Sequence, residues 1–406
     1  MTTVNVTSQT DHNRIRRQAL AAQGLHQRAT FGRGLKGARN AIAHLGYVQI
    51  DTISVVERAH HHVFRSRVPD FNADMTQRML QRRDIFEYWH HAAAFLPIAD
   101  YRFSLPYKQA IRNGKVHWFR NPDRKLMAQL TQQIKSEGPL RSRDLEDTKT
   151  TRQGWWDWKP AKRALEQLYM QGDLMVSARE GFQKTYDLPQ RVLPDHIDTT
   201  PPDVDEFAEH VVTQQLRCHA LVSLKGLTYL RRNPALRQAV KRYVDKQLQA
   251  GRIDQIILAN GEAYYSQPNL LDAPAPRFSR AITILSPFDN VLIQRERLRS
   301  LYNFDYQIEC YVPAAKRRFG YFGLPMLYRD QFIGQVDCKV HRRHKKLEIK
   351  AVEFCGSTFS PSDISQAFAA AVQEFAEFQG CECVELGDVF PSSYADLVRQ
   401  AINQRT

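Results

Sequence analysis

Three features of the sequence predict an α+β fold. Amphipathic helices recur along the first two thirds of the chain, with apolar residues three and four positions apart. Two of these helical stretches run into paired strands joined at Gly-containing turns. The last third instead reads as short, evenly spaced strands with one long helix near the end. With 43 % hydrophobic residues, the 406-residue chain can bury real cores, which excludes a disordered protein. At ~100–200 residues per domain, about two to four domains are expected.

The elements follow in order. Residues 14–23 read as a helix, and Phe31-Gly-Arg-Gly-Leu-Lys-Gly37 as a turn whose glycines are too scattered to cradle a phosphate. A second helix, Ala38 to Leu45, leads into Val48-Gln-Ile-Asp-Thr52. Leu126, Leu130 and Ile134 mark one face of a helix over Leu126 to Ser136, which Gly138-Pro139 ends. Ser142 to Leu145 opens a short helix. Pro160 starts another, with Ala164, Leu165, Leu168 and Tyr169 as its buried face. Gly172-Asp173 then turns the chain into strands Leu174 to Ala178 and Gln183 to Leu188, hinged at Glu180-Gly181. Helices followed by a hairpin describe a winged helix, and a generic helical domain with a hairpin is the other reading. A second unit of this kind spans Glu206 to Tyr265. It has helices Val211 to Leu216 and Leu236 to Ala250, then strands around Ile256–Leu258 and Ala263–Tyr265 that turn at Asn260-Gly261. Asp195 to Asp205, with Pro201-Pro202, is a linker. Strands at Ile282–Leu285, Tyr306–Val312, Gly320–Leu327, Gln331–Val340 and Leu347–Phe354 suggest a small barrel or sandwich, closed by a helix from Ser362 to Phe378.

Fifty-seven Lys and Arg against 43 Asp and Glu give a net charge of +14, which serves either solubility or a polyanionic partner. The charge is clustered. Residues 1–40 carry seven Lys/Arg and one Asp, and Lys339 to Lys350 carries six Lys/Arg and one Glu. His341, Arg342, Arg343, His344, Lys345 and Lys346 fall between two predicted strands and so form a hairpin tip suited to gripping nucleic-acid phosphates.

Several classes are excluded. No run of about 18 apolar residues predicts a membrane span, and Met1 to Gln23 is too polar for a secretory signal. The six cysteines lack zinc-finger spacing, so no metal site is expected and the thiols are expected to be free in a reducing compartment. His60-His61-His62 reads as polar surface. Neither a phosphate-binding glycine loop nor a Gly-x-Ser-x-Gly elbow is present. The carboxylate cluster of a two-metal nuclease is also missing.

The chemical candidate is Gln49-Ile-Asp51. Two residues apart on an extended segment, the amide and the carboxylate can share one pocket and hold one water. Asp accepts its proton while Gln fixes its orientation. Their neighbours Tyr47, Val48, Ile50 and Ile53 are apolar, an unusual setting for two polar side chains. A non-catalytic winged-helix DNA-binding regulator would account for the charge and the hairpins, but not for this pair.

In several motifs the chain resembles the AlkZ/YcaQ family of winged-helix DNA glycosylases. These are Val48-Gln-Ile-Asp-Thr-Ile53, Glu87-Tyr-Trp-His-His91, Gly154-Trp-Trp-Asp-Trp-Lys-Pro160, Leu285-Ser-Pro-Phe-Asp289 and Glu309-Cys-Tyr-Val-Pro313, the last running on to Lys316-Arg and Gly320-Tyr-Phe322. Asp at the second position of Gln-x-Asp is similar to the YcaQ-like branch. The resemblance implies three tandem winged-helix domains (1–122, 123–195 and 203–278) and a C-terminal β-barrel at 279–406 with a closing helix. It implies hydrolysis of the N-glycosidic bond of N7-alkylated guanines in base excision repair, including nitrogen-mustard monoadducts and interstrand crosslinks. Gln49 and Asp51 would be catalytic, His91 would line the site, and the 341–346 hairpin would engage double-stranded DNA. No cofactor, a monomer and a cytoplasmic, nucleoid-associated location would follow. Two positions depart from the pattern: Ala92, where an acidic residue is expected, and Gln335, where Arg is more usual.

Overall fold

The computed structural model describes residues 3–145, 160–356 and 358–405. Its contacts divide the chain into two compact units, Met1–Asn72 with Ala208–Thr406, and Ala73–Phe207. The chain begins with β1 (Thr3–Val6), α1 (Gln9–Ala22), α2 (Gly34–Leu45), β2 (Val48–Gln49) and α3 (Ala59–Arg65). The 73–207 unit holds α4 (Ala73–Gln81), β3 (Ile85–Trp89), β4 (Ala93–Pro97), α5 (Leu105–Arg112), α6 (Arg124–Glu137) and β5 (Leu140–Arg141). It ends with α7 (Pro160–Met170), β6 (Met175–Glu180), β7 (Gln183–Asp187) and α8 (Pro189–Val192). After α9 (Val204–His219) come β8 (Leu221–Val222), α10 (Leu224–Leu227), α11 (Pro234–Gln249), β9 (Asp254–Leu258), β10 (Ala263–Ser266), β11 (Ile282–Ile284) and α12 (Arg295–Tyr302). The chain closes with β12 (Gly323–Tyr328), β13 (Gln331–His341), β14 (Lys346–Phe354), α13 (Pro361–Phe378), β15 (Cys383–Phe390) and α14 (Ala395–Asn403).

Helix starts obey local chemistry. The side chains of Ser8, Asp123, Asn233 and Ser360 each accept a backbone N–H from the first turn of α1, α6, α11 and α13, and Pro234 and Pro361 occupy first-turn positions that need no donor. In the 73–207 unit, α6 and α7 bury Leu130, Ile134, Leu165, Leu168 and Tyr169, and an antiparallel sheet runs in the order β5-β7-β6. Glu87 on β3 lies buried between Arg179 (2.6 and 2.8 Å) and Lys184 (3.3 Å). Burial opposes its ionisation, but the two cations override that and hold the carboxyl at about 2. The first six residues of the Gly154–Pro160 motif lie outside the described residues, and Pro160 opens α7.

The larger unit contains two sheets. One has the order β1-β9-β10-β8, in which β1 runs parallel to β9 with Val6 opposite Leu258. The other runs β11-β12-β13-β14-β15. Among the described residues its outer strands, β11 and β15, share no ladder, so this is an open sheet and the expected β-barrel is corrected. Two physical reasons stand out. The β14–β15 pair is parallel and therefore needs a crossover, which α13 supplies. Helix α13 packs against both outer strands, and its Ile364, Phe368, Val372 and Phe375 fill the core on the sheet face. The segment Tyr306–Val312, expected as a strand, is extended and then turns without joining a ladder. Phe304 and Tyr306 bury alternate side chains, with the Phe304 ring stacked 4.9 Å from Phe332, and an unpaired extended segment shows the same period of two as a strand. Among the described residues, no helix is long and apolar enough to cross a membrane.

Candidate active site

The approach to Gln49 is set by the end of α2. Gly46 caps that helix in the left-handed region (φ 81°), its N–H bonded to the Ile42 carbonyl. A Cβ here would also lie 2.1 Å from the Gln214 side chain, so conformation and space both demand glycine. The following residues, Tyr47, Val48 and Gln49, are buried. Asn290 donates its side-chain N–H to the Tyr47 carbonyl at 3.1 Å. Asn290 follows Asp289, whose carboxylate takes both terminal nitrogens of Arg67 at 2.7 and 2.8 Å, with both side chains fully buried. This bidentate pair gives the Leu285–Asp289 motif its role as an anchor beneath the candidate segment.

Strand β2 ends at Gln49, and Asp51 begins an irregular stretch. Its Oδ1 accepts the Ile53 N–H at 2.8 Å. Asp51 is half-buried. That burial raises its carboxyl above the usual carboxylate range, and the N–H groups of Ile53 and Thr52 offset only part of the effect. A carboxylate destabilised in this way is a stronger base, as proton abstraction from water requires.

The residues just past Asp51 are fastened to the hairpin tip. Val340 donates its N–H to the Val55 carbonyl at 2.9 Å. Arg342 donates to the carbonyls of Ser54 and Val56 at 3.0 and 3.1 Å. The six predicted DNA-binding residues therefore differ in kind. His341 pairs with Glu348 at 2.7 Å, Lys345 with Glu382 at 2.5 Å, and Lys346 with Glu385. Arg343 and His344 are exposed and make no side-chain hydrogen bond or ion pair among the described residues. Surface ion pairs contribute about 0–1 kcal/mol, so Lys345 and Lys346 can exchange their glutamates for phosphates at little cost.

The Glu309–Pro313 segment lies within the electrostatic reach of Asp51. Its Cys310 packs with Ile53, Ile308 and Tyr321 against the core under the open sheet. The Cys310 thiol and the Tyr311 hydroxyl are both pushed up, first by desolvation and then by the Asp51 charge. Glu309 is 8 % exposed, and its carboxylate accepts three backbone N–H groups, from Arg318, Phe319 and Gly320, at 2.7, 2.9 and 3.2 Å. Burial works against ionisation of Glu309, but these three bonds hold its carboxyl below the usual range. A Cβ on Gly320 would meet the Asp337 carboxylate at 2.2 Å, which accounts for the glycine of Gly320-Tyr-Phe322. Sequence reasoning quoted these motifs but assigned no role to Arg67, Asp289, Asn290, Glu309 or Tyr311.

His91 belongs to the 73–207 unit, whereas Gln49 and Asp51 belong to the larger one. It sits with Ala92 at the bend between β3 and β4, half-buried, its Nδ1 3.0 Å from that of His90. Gln335, on β13, donates to Glu353 at 3.1 Å. The histidine run at 60–62, expected as polar surface, is buried in α3. His62 Nε2 bonds to the Ile284 carbonyl at 2.8 Å, and His61 Nδ1 lies 3.0 Å from Glu57. Among the described residues, no group of three His, Cys, Asp or Glu side chains could hold a metal ion.

Residues 42–378 match the family of AlkZ-like DNA glycosylases, an interval that contains Gln49, Asp51, the 309–322 segment and the hairpin. The chain belongs to the AlkZ-like DNA glycosylase family. It is therefore an enzyme of DNA repair that binds DNA as its substrate. The architecture of this AlkZ-like glycosylase is similar to that of DNA glycosylase AlkZ from Streptomyces sahachiroi, with a TM-score of 0.58 at 15 % identity, covering 92 % of this chain and 98 % of that one. At that identity the likeness concerns the fold.

Proposed function

We propose that this glycosylase hydrolyses the N-glycosidic bond of N7-alkylated guanines, including nitrogen-mustard monoadducts and interstrand crosslinks, in base excision repair. Asp51 activates the water and stabilises the positive charge that develops on the sugar, and Gln49 orients the water. Alkylation at N7 makes the purine cationic and a good leaving group, so little acid catalysis is needed. A crosslinked base cannot swing freely from the duplex, which favours engagement with limited extrusion. The hairpin, led by Arg343 and His344, contacts the DNA backbone. Three winged-helix domains (1–122, 123–195 and 203–278) ahead of the 279–406 region, a monomeric enzyme, a cytoplasmic, nucleoid-associated location and His91 as a site-lining residue belong to the same proposal.

The observation that carries this reading is Asp51 itself. It is a half-buried carboxylate made more basic by desolvation, two residues from a buried Gln and fastened through its own loop to a basic hairpin. The test is incubation with duplex containing N7-methylguanine, followed by alkali cleavage at abasic sites. Wild type should excise the base, and Asp51→Asn should lose about two orders of magnitude or more in rate. Equal rates for the two proteins would remove Asp51 from the chemistry.

A further inference from the structure

The loop that follows Glu309 is built to hold one aromatic ring in the open. Among the described residues Tyr311 is the most exposed large hydrophobic side chain, at 75 % against 57 % for Leu230 and 51 % for Phe390. A flexible loop could fold such a ring away from water, but this loop is closed on itself. Glu309 ties the backbone of Arg318, Phe319 and Gly320, and the Val312 N–H returns to the Glu309 carbonyl at 2.9 Å. Arg317 Nε donates to the Val312 carbonyl at 2.9 Å, and its guanidinium covers the Tyr321 ring at 4.9 Å. A short helical turn, Ala314–Lys316, completes the loop, with Lys316 and Arg318 exposed on it. A ring presented on a stiff support binds with less loss of conformational freedom than one on a mobile tip.

The ring's surroundings select for charge. After desolvation, the Asp51 charge is the next influence on Tyr311 and on Cys310 beside it, so a carboxylate acts on the ring's surroundings. The face of an aromatic ring adds its own partial negative charge. Both features attract a cation, and an N7-alkylated guanine is cationic while an undamaged base is neutral. Lys316 and Arg318 are placed to meet phosphates instead.

We propose that Tyr311 is a specificity-determining residue, whose ring face takes the positively charged alkylated purine next to Asp51, while Lys316 and Arg318 hold the flanking backbone. This rests on Asp51 as the water-activating group and adds the means by which the damaged base is told from normal ones. A cation over a partly desolvated ring corresponds to roughly threefold to thirtyfold in affinity.

The experiment uses the full chain carrying Asp51→Asn, which binds without excising. Two duplexes are compared, one with N7-methylguanine and one with 7-methyl-7-deazaguanine, which has the same shape without the charge. Asp51→Asn alone should prefer the cationic duplex. Adding Tyr311→Phe should keep the preference, and adding Tyr311→Ala should reduce it threefold or more, with binding to undamaged duplex unchanged. An unchanged preference after Tyr311→Ala overturns the proposal, as does the absence of any preference in Asp51→Asn. Excision by the otherwise wild-type Tyr311→Ala enzyme should show a raised KM for N7-methylguanine duplex. Excision by Asp51→Asn itself is scored separately, so failure of the Asp51 reading is seen independently of the preference ratio.

Discussion

Replacing Arg342 with alanine should impair catalysis more than DNA binding, although Arg342 sits in the most basic stretch of the chain. Its two donors reach the carbonyls of Ser54 and Val56, three and five residues beyond Asp51. Ser54 is exposed, so its carbonyl can turn to water. Val56 is 1 % exposed, and a buried carbonyl left without its donor costs about 1–3 kcal/mol. Taking about 2 kcal/mol, the melting temperature should fall by roughly 4–8 °C for a unit of this size. The larger effect is on position. The Asp51 loop has no ladder of its own, and a displacement of about 1 Å at a reacting group costs on the order of 100-fold in rate. Single-turnover excision by Arg342→Ala should therefore slow by tenfold to about 100-fold, while affinity for undamaged duplex changes by less than about threefold. Arg342→Lys should recover only part of the rate, because a single ammonium cannot replace the guanidinium fork. Arg343→Ala is the comparison: exposed and unpaired, it should weaken binding and lower the salt slope by about one phosphate contact, with the chemical step intact. The reasoning is refuted if Arg342→Ala behaves as Arg343→Ala should, losing affinity and salt dependence while excising at the wild-type rate.

Two further outcomes are expected. Arg67→Met should destabilise the larger unit by about 3–5 kcal/mol in urea or thermal denaturation, because it strands the fully buried Asp289 carboxylate, and a shift under 1 kcal/mol would contradict the anchor. Stability should also fall on mild acidification. Burial lowers His62 from 6.5 to about 4, so between those values the unfolded chain binds a proton that the folded one does not. Stability is then lost as pH falls from about 6.5 to 4, at up to roughly 1.4 kcal/mol per pH unit, and His219, His44 and His26 are shifted in the same direction. Denaturation midpoints at pH 7.5 and 5 test this, and a profile that stays flat in wild type would count against a neutral buried His62.

Features written in neighbouring residues were legible in the sequence. The hairpins at Asn260-Gly261 and Glu180-Gly181 need only a few adjacent side chains and stand where the pattern placed them, and the helices expected from Leu236 and Ser362 are there but begin slightly earlier, at Pro234 and Pro361. Pairing across long separations left no such trace. Strand β1 joins β9 some 250 residues away through four residues of ordinary polarity. The run Tyr306–Val312 read as a strand because Tyr306, Ile308 and Cys310 alternate with Gln307 and Glu309, yet it joins no ladder, and even strand spacing alone does not tell an open sheet from a closed one. At the candidate site, residue types were readable and their partners were not. Gln49 and Asp51 stood out as polar groups in an apolar stretch. Nothing local tells whether Arg342 turns toward DNA or toward the backbone at Ser54, nor that Arg67 meets Asp289 across 222 positions.

That difference bears on how the +14 surplus is used. Positive charge near the N-terminus looked available to a polyanion, yet much of it is committed within the larger unit. Arg16 pairs with Asp330 at 2.9 Å, Arg28 takes both oxygens of Glu374, and Arg14 and Arg17 donate to the carbonyls of Leu271 and Pro276. An arginine bonded to a carbonyl keeps its charge and still adds to the long-range field that draws DNA in. It cannot also offer that fork to a phosphate without breaking a contact. Attraction and grip are therefore separate properties of this chain. Attraction follows from the whole surplus and weakens as salt screens it over about 10 Å. Grip requires donors with no competing hydrogen bond or ion pair, and among the described residues of the two basic loops these include Arg343 and His344 on the hairpin and Lys316 on the Tyr311 loop. The hairpin is tied to the segment just past Asp51 through Val340 and Arg342, so grip on DNA is a property of where these donors sit more than of the sum of charges.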